Sequence, residues 1–357
     1  MSRDEFDALA ATATRARVDL TAATSTRPVP PLTERTRGRA PGRRPGWSRP
    51  LRSPLLAGLA LAVFMFGLLV GINVMRGHAP GPDHFVASVS AGDRPVAVAS
   101  DGRTLWVIDQ GRGRLLAIDA RTLARRWEVA VGPHPVALAY GFGAIWVVDS
   151  GDRKLRKLAS DDGRLLGQAN TSLDPVGVLT TADRVWVLAA GNATIDGYDP
   201  QTVLQDRSGT LLPGGTSAAG GVDALWVASS GILRRVPAPG GDSTSFDVGA
   251  PVRLVAAGGP AVWAAASDGR LLAVDPASGR VLARVALPGA PTAITVLGDG
   301  VAVATDDGSV TRVASVGAQP VLVARTGATL TSLAASQDVL VGVSPGSGLL
   351  YRMEVTP

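Results

Sequence analysis

Side chains able to do catalytic chemistry at neutral pH are few in this chain of 357 residues. The absence of cysteine excludes disulfides and thiolate metal sites. Beyond residue 83 the histidines are His84 and His134, and the glutamates are Glu128 and Glu354. A serine–histidine–aspartate set or a histidine metal site needs several such groups in a pattern, and one histidine between two prolines has no patterned partner. The sequence therefore favours a binding protein over a catalyst.

The segments that must position these residues repeat along the chain. Trp106, Trp146, Trp186 and Trp226 are spaced by forty residues, and Trp263 follows thirty-seven residues later. Each repeat holds short apolar segments separated by turns rich in Gly, Asp or Asn. Self-similarity at this period, with about four short strands per repeat, is typical of the blades of a β-propeller.

The repeats number seven. They open near Pro95, Pro135, Pro175, Thr216, Pro251, Pro291 and Leu330. The seventh has room for only three strands, whereas the segment from His84 to Ser90 precedes the first repeat. We therefore predict an all-β, seven-bladed β-propeller of four-stranded blades over residues 84–357. Strand 84–90 completes the last blade, which closes the ring and hides the sheet edges.

Two details of the repeats predict local structure. Asp119, Asp199 and Asp275 each end a third strand and precede a Thr or Ser by three residues, so we expect each carboxylate to accept backbone N–H bonds in a tight turn. The tryptophans stand in mid-strand among apolar neighbours. We expect them to pack between blades, and a ligand-stacking ladder is the alternative.

Upstream of the repeats lies an apolar run of 21 residues, Leu55 to Met75, without charge. It is long enough to cross about 30 Å of hydrocarbon as one helix. A cleaved signal peptide is disfavoured because more than fifty residues precede the run. We predict a cytoplasmic, mostly disordered Arg/Pro-rich tail at 1–54 with a short helix at 2–20, a transmembrane helix at 55–75 and a linker at 76–83.

Arginine asymmetry sets the predicted orientation of this span. The twenty residues before it carry seven arginines and the twenty after it carry two, so the amino terminus is expected in the cytoplasm and the propeller outside the cell membrane. Gly67 and Gly71 form a GxxxG motif that could pair two spans into a homodimer. The net charge of +5 is concentrated in the tail, and the repeats hold no basic groove with aromatics, which disfavours nucleic acid as a partner.

The repeats resemble the YVTN and virginiamycin B lyase-like seven-bladed propellers of bacterial envelopes. The recurring pattern P-x-x-(L/V)-A…G-x-(L/I)-W-V…(I/V)-D-x-x-(T/S), as in Pro135 to Asp149 and Val274 to Ser278, carries this resemblance. The segment Ala117 to Trp127 is also similar to the quinoprotein repeat. The lyase resemblance implies a metal-dependent site of histidines and a glutamate in the central channel. Only His134 remains for it, because His84 belongs to the closing strand.

A propeller presents its binding residues on the loops around the channel mouth. We predict a ligand-binding loop face whose candidate residues precede the first strand of a blade or follow its second strand: Arg94, His134, Asp174, Asp109, Asp149, Asn192, Asp268 and Asp306. No catalytic residue, metal ligand or cofactor is predicted.

Three hypotheses of function follow. The leading one is a membrane-anchored, extracytoplasmic and non-catalytic module that binds a protein or small ligand as an envelope sensor or scaffold. The first alternative is a lyase- or lactonase-like enzyme with a divalent metal in the channel. The second is a transmembrane signalling protein whose helix at 2–20 docks a cytosolic regulator.

Overall fold

The computed structural model describes the repeated part of the chain, at residues 86–210, 217–221, 223–229, 231–237, 242–336 and 339–355. The predicted tail, transmembrane helix and linker, together with His84, lie outside these residues. Among the residues described, no helix is long and apolar enough to cross a membrane.

The described chain forms 28 strands, β1 to β28, in sequence order. The closing strand and the first two blades are β1 (Val86–Ser90), β2 (Pro95–Ser100), β3 (Thr104–Asp109), β4 (Arg114–Asp119), β5 (Arg125–Ala130), β6 (Pro135–Gly141), β7 (Ala144–Asp149), β8 (Lys154–Ala159) and β9 (Leu165–Asn170). Blades 3 and 4 are β10 (Pro175–Thr180), β11 (Val185–Ala189), β12 (Thr194–Tyr198), β13 (Gln205–Thr210), β14 (Ser217–Gly220), β15 (Ala224–Ser229), β16 (Ile232–Pro237) and β17 (Thr244–Asp247). Blades 5 to 7 are β18 (Val252–Gly258), β19 (Ala261–Ala266), β20 (Arg270–Val274), β21 (Val281–Ala286), β22 (Pro291–Leu297), β23 (Gly300–Thr305), β24 (Ser309–Val313), β25 (Val321–Arg325), β26 (Ser332–Ser336), β27 (Val339–Ser344) and β28 (Leu349–Glu354).

These strands form seven antiparallel four-stranded sheets, as the sequence predicts. Six sheets use four consecutive strands. The seventh has the order β1-β28-β27-β26, so the strand before the first repeat completes the last blade. Val86 pairs with Met353 and Ser90 with Leu349, and the Ala91 amide donates to the Gly348 carbonyl at 2.9 Å. The predicted closure of the ring is confirmed.

The core lies between the blades. Seven apolar clusters each join two neighbouring blades, because alternate residues of a strand point to opposite faces of its sheet. In β3, Trp106 and Ile108 pack toward blade 2, whereas Leu105 and Val107 pack toward blade 7. All five repeated tryptophans are at most 4 % exposed, which confirms that they pack inside the ring.

The antiparallel blades give the propeller two loop faces. The upper face, as we name it, carries the connections from one blade to the next and the turns between second and third strands. The lower face carries the other turns of each blade. On the lower face the predicted corner aspartates accept the expected bonds: the amides of Thr122, Thr202 and Ser278 donate to Asp119, Asp199 and Asp275 at 2.8, 2.8 and 2.7 Å.

Candidate functional site

Four of the predicted loop-face residues share one structural task on the upper face. In each, a side-chain oxygen at the end of the second strand or in the turn after it accepts the backbone N–H of the loop that enters the same blade. We call these residues latches: Asp109, Asp149, Asn192 and Asp306. The latch ties the two loops of one blade together and so shapes the rim of the channel.

The first two latches are buried carboxylates. Asp109 is 1 % exposed and accepts the amides of Asp93 at 3.1 Å and Arg94 at 2.9 Å. Asp149 is fully buried, and its oxygens accept three amides: His134 at 3.0 Å, Gly151 at 2.7 Å and Asp152 at 3.0 Å. Each carboxylate therefore has its hydrogen-bonding capacity engaged by the backbone.

A glycine beside each buried latch makes room for it. Gly132 has φ +127°, and a Cβ built on it would lie 2.0 Å from an Asp149 carboxylate oxygen. Gly92 has φ +118° and would meet Asp109 at 2.1 Å in the same way. Both the backbone angle and the close carboxylate favour glycine at these positions.

The other two latches are exposed and hold one amide each. Asn192 accepts the Leu173 amide at 3.1 Å, and Asp306 accepts the Ala290 amide at 3.0 Å. These four residues are thus engaged with the protein itself, while ligand contact by them stays a prediction.

His134 meets a serine that the sequence pattern did not single out. Its Nδ1 lies 2.8 Å from the Ser150 hydroxyl, and that hydroxyl is also 3.3 Å from the His134 carbonyl oxygen. In a catalytic triad an aspartate orients the imidazole itself. Asp149 instead accepts the backbone N–H of His134, so the buried carboxylate holds the loop of the exposed His134 and the three residues lack the orientation of a triad.

Arg94, Asp174 and Asp268 complete the predicted set on the upper face, and all three are exposed. Asp174 has the left-handed angle φ +54°, and its carbonyl accepts the Ala190 amide at 2.9 Å. Asp268 pairs with Arg270, whose Nε lies 2.8 Å from the carboxylate. The Arg270 guanidinium holds the pKa of Asp268 below its usual range.

The channel mouth contains a charged residue that the sequence analysis did not predict. In five innermost strands the pairing register shifts after the first residue, and the extra residue of each β-bulge lies beside the mouth: Val96, Val136, Val176, Arg253 and Thr292. One of these five bulges holds a cation.

Exposure shows where the Arg253 side chain meets solvent. Strand β18 pairs on one edge with β19, and its two faces pack against β14 and β22 of the neighbouring blades. Arg253 is nevertheless exposed, at the upper end of this innermost strand. Within the described residues no hydrogen bond or ion pair holds its guanidinium. The departure from valine in the first three repeats was the available signal for this residue.

The donors of the described residues do not fit the divalent metal centre that the lyase resemblance implies. No three His, Cys, Asp or Glu side chains come together among them in a group that could hold a metal ion. Near His134 the nearest predicted carboxylate, Asp149, already accepts three amides. Glu128 is instead paired with Arg114 and Arg125, at 3.2 and 2.6 Å, on an outer strand.

A groove of about 700 Å³ opens between blades 3 and 4 on the outer rim, with Trp186 at its wall. Arg207 and Gly209 border it where blade 1 has Trp127 and Val129. In blade 1, Trp127 and Val129 pack against Gly163 of the next blade. Arg207 and Gly209 do not fill the corresponding space between blades 3 and 4, and the groove results.

Comparison with known proteins identifies the fold. No family model matches the chain. No curated protein sequence matches it. Solved structures do match it. A catalytically inactive virginiamycin B lyase from Staphylococcus aureus, with quinupristin, has a TM-score of 0.65 at 14 % identity, and the match covers 76 % of this chain and 99 % of the lyase. The likeness is one of fold.

Two further structures are similar over the same region. BamB from Moraxella catarrhalis gives a TM-score of 0.54 at 21 % identity, covering 78 % of this chain and 93 % of BamB. U3-55K gives a TM-score of 0.67 at 10 % identity, covering 77 % of this chain and 100 % of U3-55K. The resemblance to virginiamycin B lyase-like propellers is therefore confirmed for the architecture.

Proposed function

We propose that this chain is a non-catalytic binding module whose propeller takes a carboxylate-bearing ligand, a protein segment or small molecule, at the mouth of its channel. Residues 55–75 anchor it in the cell membrane, with the amino terminus in the cytoplasm and the propeller outside. The apolar run and the arginine asymmetry around it support the anchor. The module acts as an envelope sensor or scaffold.

The observation that carries the binding proposal is the exposed Arg253 in an innermost strand. Its counterparts in the first three blades are valines and the fifth bulge residue is Thr292, so blade 5 alone among these five carries a charge at this position. Charge-assisted hydrogen bonds to a guanidinium are strongest where water is partly excluded, and the planar fork suits a carboxylate. Arg94 is exposed on the same face and adds a second positive charge.

The lyase- or lactonase-like alternative is not favoured. Its support is a likeness of fold, and a single fold hosts many unrelated activities. Asp109 and Asp149, which accept the backbone amides of Arg94 and His134, are occupied as latches rather than gathered around an ion site.

A binding experiment with a defined probe tests the proposal. The full chain in detergent micelles is titrated into a fluorescein-labelled peptide of alternating Glu and Ser, and into its Gln–Ser counterpart, by fluorescence anisotropy. We expect saturable binding of the acidic peptide that Arg253→Gln weakens about tenfold or more, because hydrogen bonds to charged groups contribute about 1.5–3 kcal/mol.

A matched control lies in the same blade. Arg284 is also exposed but stands on the outermost strand β21, so Arg284→Gln removes the same charge away from the channel. Equal weakening by both variants would mean that only net charge matters, and it would refute a site at the mouth. Equal binding of the two peptides would refute carboxylate recognition.

A further inference from the structure

The lower face is where the chain that precedes the propeller arrives. Strand β1 is the outermost strand of blade 7 and runs from the lower to the upper face, because its end at Ser90 leads into the upper loop that begins the first blade. Val86 therefore stands at the lower end. The linker between the proposed anchor and β1, residues 76–85, spans at most about 33–36 Å. A tether of this length holds the lower end of β1 within about 36 Å of the proposed anchor at residues 55–75, and so brings the lower face within reach of the bilayer.

Exposed hydrophobic side chains are concentrated on the same face. Of the ten large hydrophobic residues exposed in the described chain, seven lie at the lower ends of the blades. Only Leu173, Val176 and Ile232 lie near the upper ends. Single exposed hydrophobics are ordinary, whereas exposed hydrophobics that lie together can form an interaction surface.

Phe142 is the least expected of these residues. It occupies the first position of a two-residue hairpin turn, with φ +55°, and is 38 % exposed. The equivalent position of blades 5 and 6 is glycine, Gly259 and Gly298, at φ +65° and +61°. Left-handed backbone costs a residue with a Cβ about 1–2 kcal/mol. Blade 2 therefore carries both strain and an exposed aromatic ring at a turn where other blades use glycine.

Three leucines extend this surface. Leu165 and Leu166 begin β9 of the same blade, and Leu204 precedes β13 of the next; their exposures are 48, 45 and 66 %. The Ser160 hydroxyl donates to the Gly143 carbonyl at 3.3 Å and joins the two lower turns of blade 2. A Cβ built on Gly167 would lie 3.0 Å from Val203, so β9 lies against the turn that holds Leu204. We call Phe142, Leu165, Leu166 and Leu204 the lower patch.

We propose that the lower patch inserts into the lipid surface of the membrane that anchors the chain. This inference rests on the proposed anchor at residues 55–75. Apolar side chains of an interfacial segment reach about 5–10 Å into the boundary between headgroups and acyl chains. The charged neighbours Asp161, Asp162 and Arg164 give the patch no excess of positive charge, and Arg164 lies 3.9 Å from Asp162. Burial of apolar area is therefore the force that holds it, independent of anionic lipid.

The absence of cysteine in the chain makes the test direct. A single cysteine replaces Leu204 on the lower patch or, as a control, the exposed Ala190 on the upper face, and each is labelled with a polarity-sensitive fluorophore. The full chain is reconstituted into phosphatidylcholine vesicles that contain lipids spin-labelled along the acyl chain. We expect a blue shift and strong quenching at position 204 and neither at position 190.

A second variant tests the role of Phe142 without risk to folding. Phe142→Gly matches the residue at this position in two other blades, so the propeller keeps its fold, while quenching of the probe at position 204 falls. Adding phosphatidylglycerol to the vesicles should leave quenching unchanged. Quenching that requires the anionic lipid, or that survives Phe142→Gly in full, would overturn the proposal.

Flotation of the same vesicles separates the two proposals. If the chain floats with the vesicles and position 204 is not quenched, the anchor stands and the lower patch does not contact lipid; a protein partner would then be its occupant. If the chain does not float at all, the anchor is wrong and the lipid contact is refuted with it.

Discussion

The buried latch Asp149 offers the sharpest test of how the upper face is held. Its carboxylate accepts the amides of His134, Gly151 and Asp152 and has no exposed surface. Asp149→Ala removes all three acceptors at once. Asp149→Asn keeps the shape of the side chain but points an NH₂ group at one or more of these amides. A hydrogen-bond donor then faces a backbone donor, and the bond is lost.

The magnitudes follow from the number of bonds. A backbone donor left without a partner costs about 1–3 kcal/mol when buried, and bonds to a charged acceptor lie at the upper end of the range. Gly151 is exposed, so water replaces part of what Asp149→Ala removes. We expect Asp149→Ala to lower the free energy of unfolding by about 3–5 kcal/mol and Asp149→Asn by about 1–3 kcal/mol.

Denaturant unfolding of the full chain, followed by tryptophan fluorescence, measures these values. Asp306→Ala is the matched control, because this exposed latch holds the single amide of Ala290, and we expect a loss of about 1 kcal/mol or less. Gly132→Ala adds a second measurement: its Cβ would clash with the Asp149 carboxylate, so it should cost less when combined with Asp149→Ala than alone. Equal losses for Asp149→Ala and Asp306→Ala would refute the reasoning.

Two further predictions concern the core and the corners. Trp146 donates from Nε1 to the Gly141 carbonyl at 3.1 Å, whereas Nε1 of the equally buried Trp263 has no partner among the described residues. Trp146→Phe should therefore lower the free energy of unfolding, measured in denaturant, by about 1 kcal/mol more than Trp263→Phe does. The Thr202 and Ser278 amides hold the pKa values of Asp199 and Asp275 below their usual range. Because folding lowers these pKa values, the two ionised carboxylates stabilise the folded state fully above about pH 3.9, and this stabilisation is lost as the pH falls through the folded values. The double variant Asp199→Asn/Asp275→Asn should therefore show a smaller decline of Tm below about pH 4. A decline as steep as in the wild type would contradict this.

The architecture was accessible from the sequence because a propeller repeats its constraints. A tryptophan every forty residues and turn residues between short apolar segments specify the strand number of each blade. The seventh repeat lacks a fourth strand, and the strand that ends at Ser90 has no repeat of its own. Each therefore needs the other as its hydrogen-bonding partner, and β1 does pair with β28. The corner aspartates were equally accessible, since an Asx turn needs only neighbouring residues.

The arrangement of the upper face was not accessible in the same way. Asp109 and Asp149 appear in the sequence as carboxylates on binding loops, but the amides that they hold in the entering loop, those of Asp93, Arg94 and His134, lie fifteen or sixteen residues upstream across the blade. Such partners depend on the separation of two loops, which periodicity does not measure. The bulge at Arg253 was missed for a related reason: one inserted residue shifts the register of a strand without changing its apolar composition.

Arg253 and Phe142 are both departures of one blade from the others. Each stands at a position where other repeats agree, on valine in three bulges or on glycine in two turns. Within the described residues no ion pair or hydrogen bond holds the Arg253 guanidinium, and Phe142 has an exposed side chain on left-handed backbone. In a repeat protein the neighbouring blades serve as internal controls for what the fold requires. Arg253 and Phe142 break the shared pattern and are exposed, so they support the ligand proposed at the mouth of the channel and the lipid contact proposed at the opposite face.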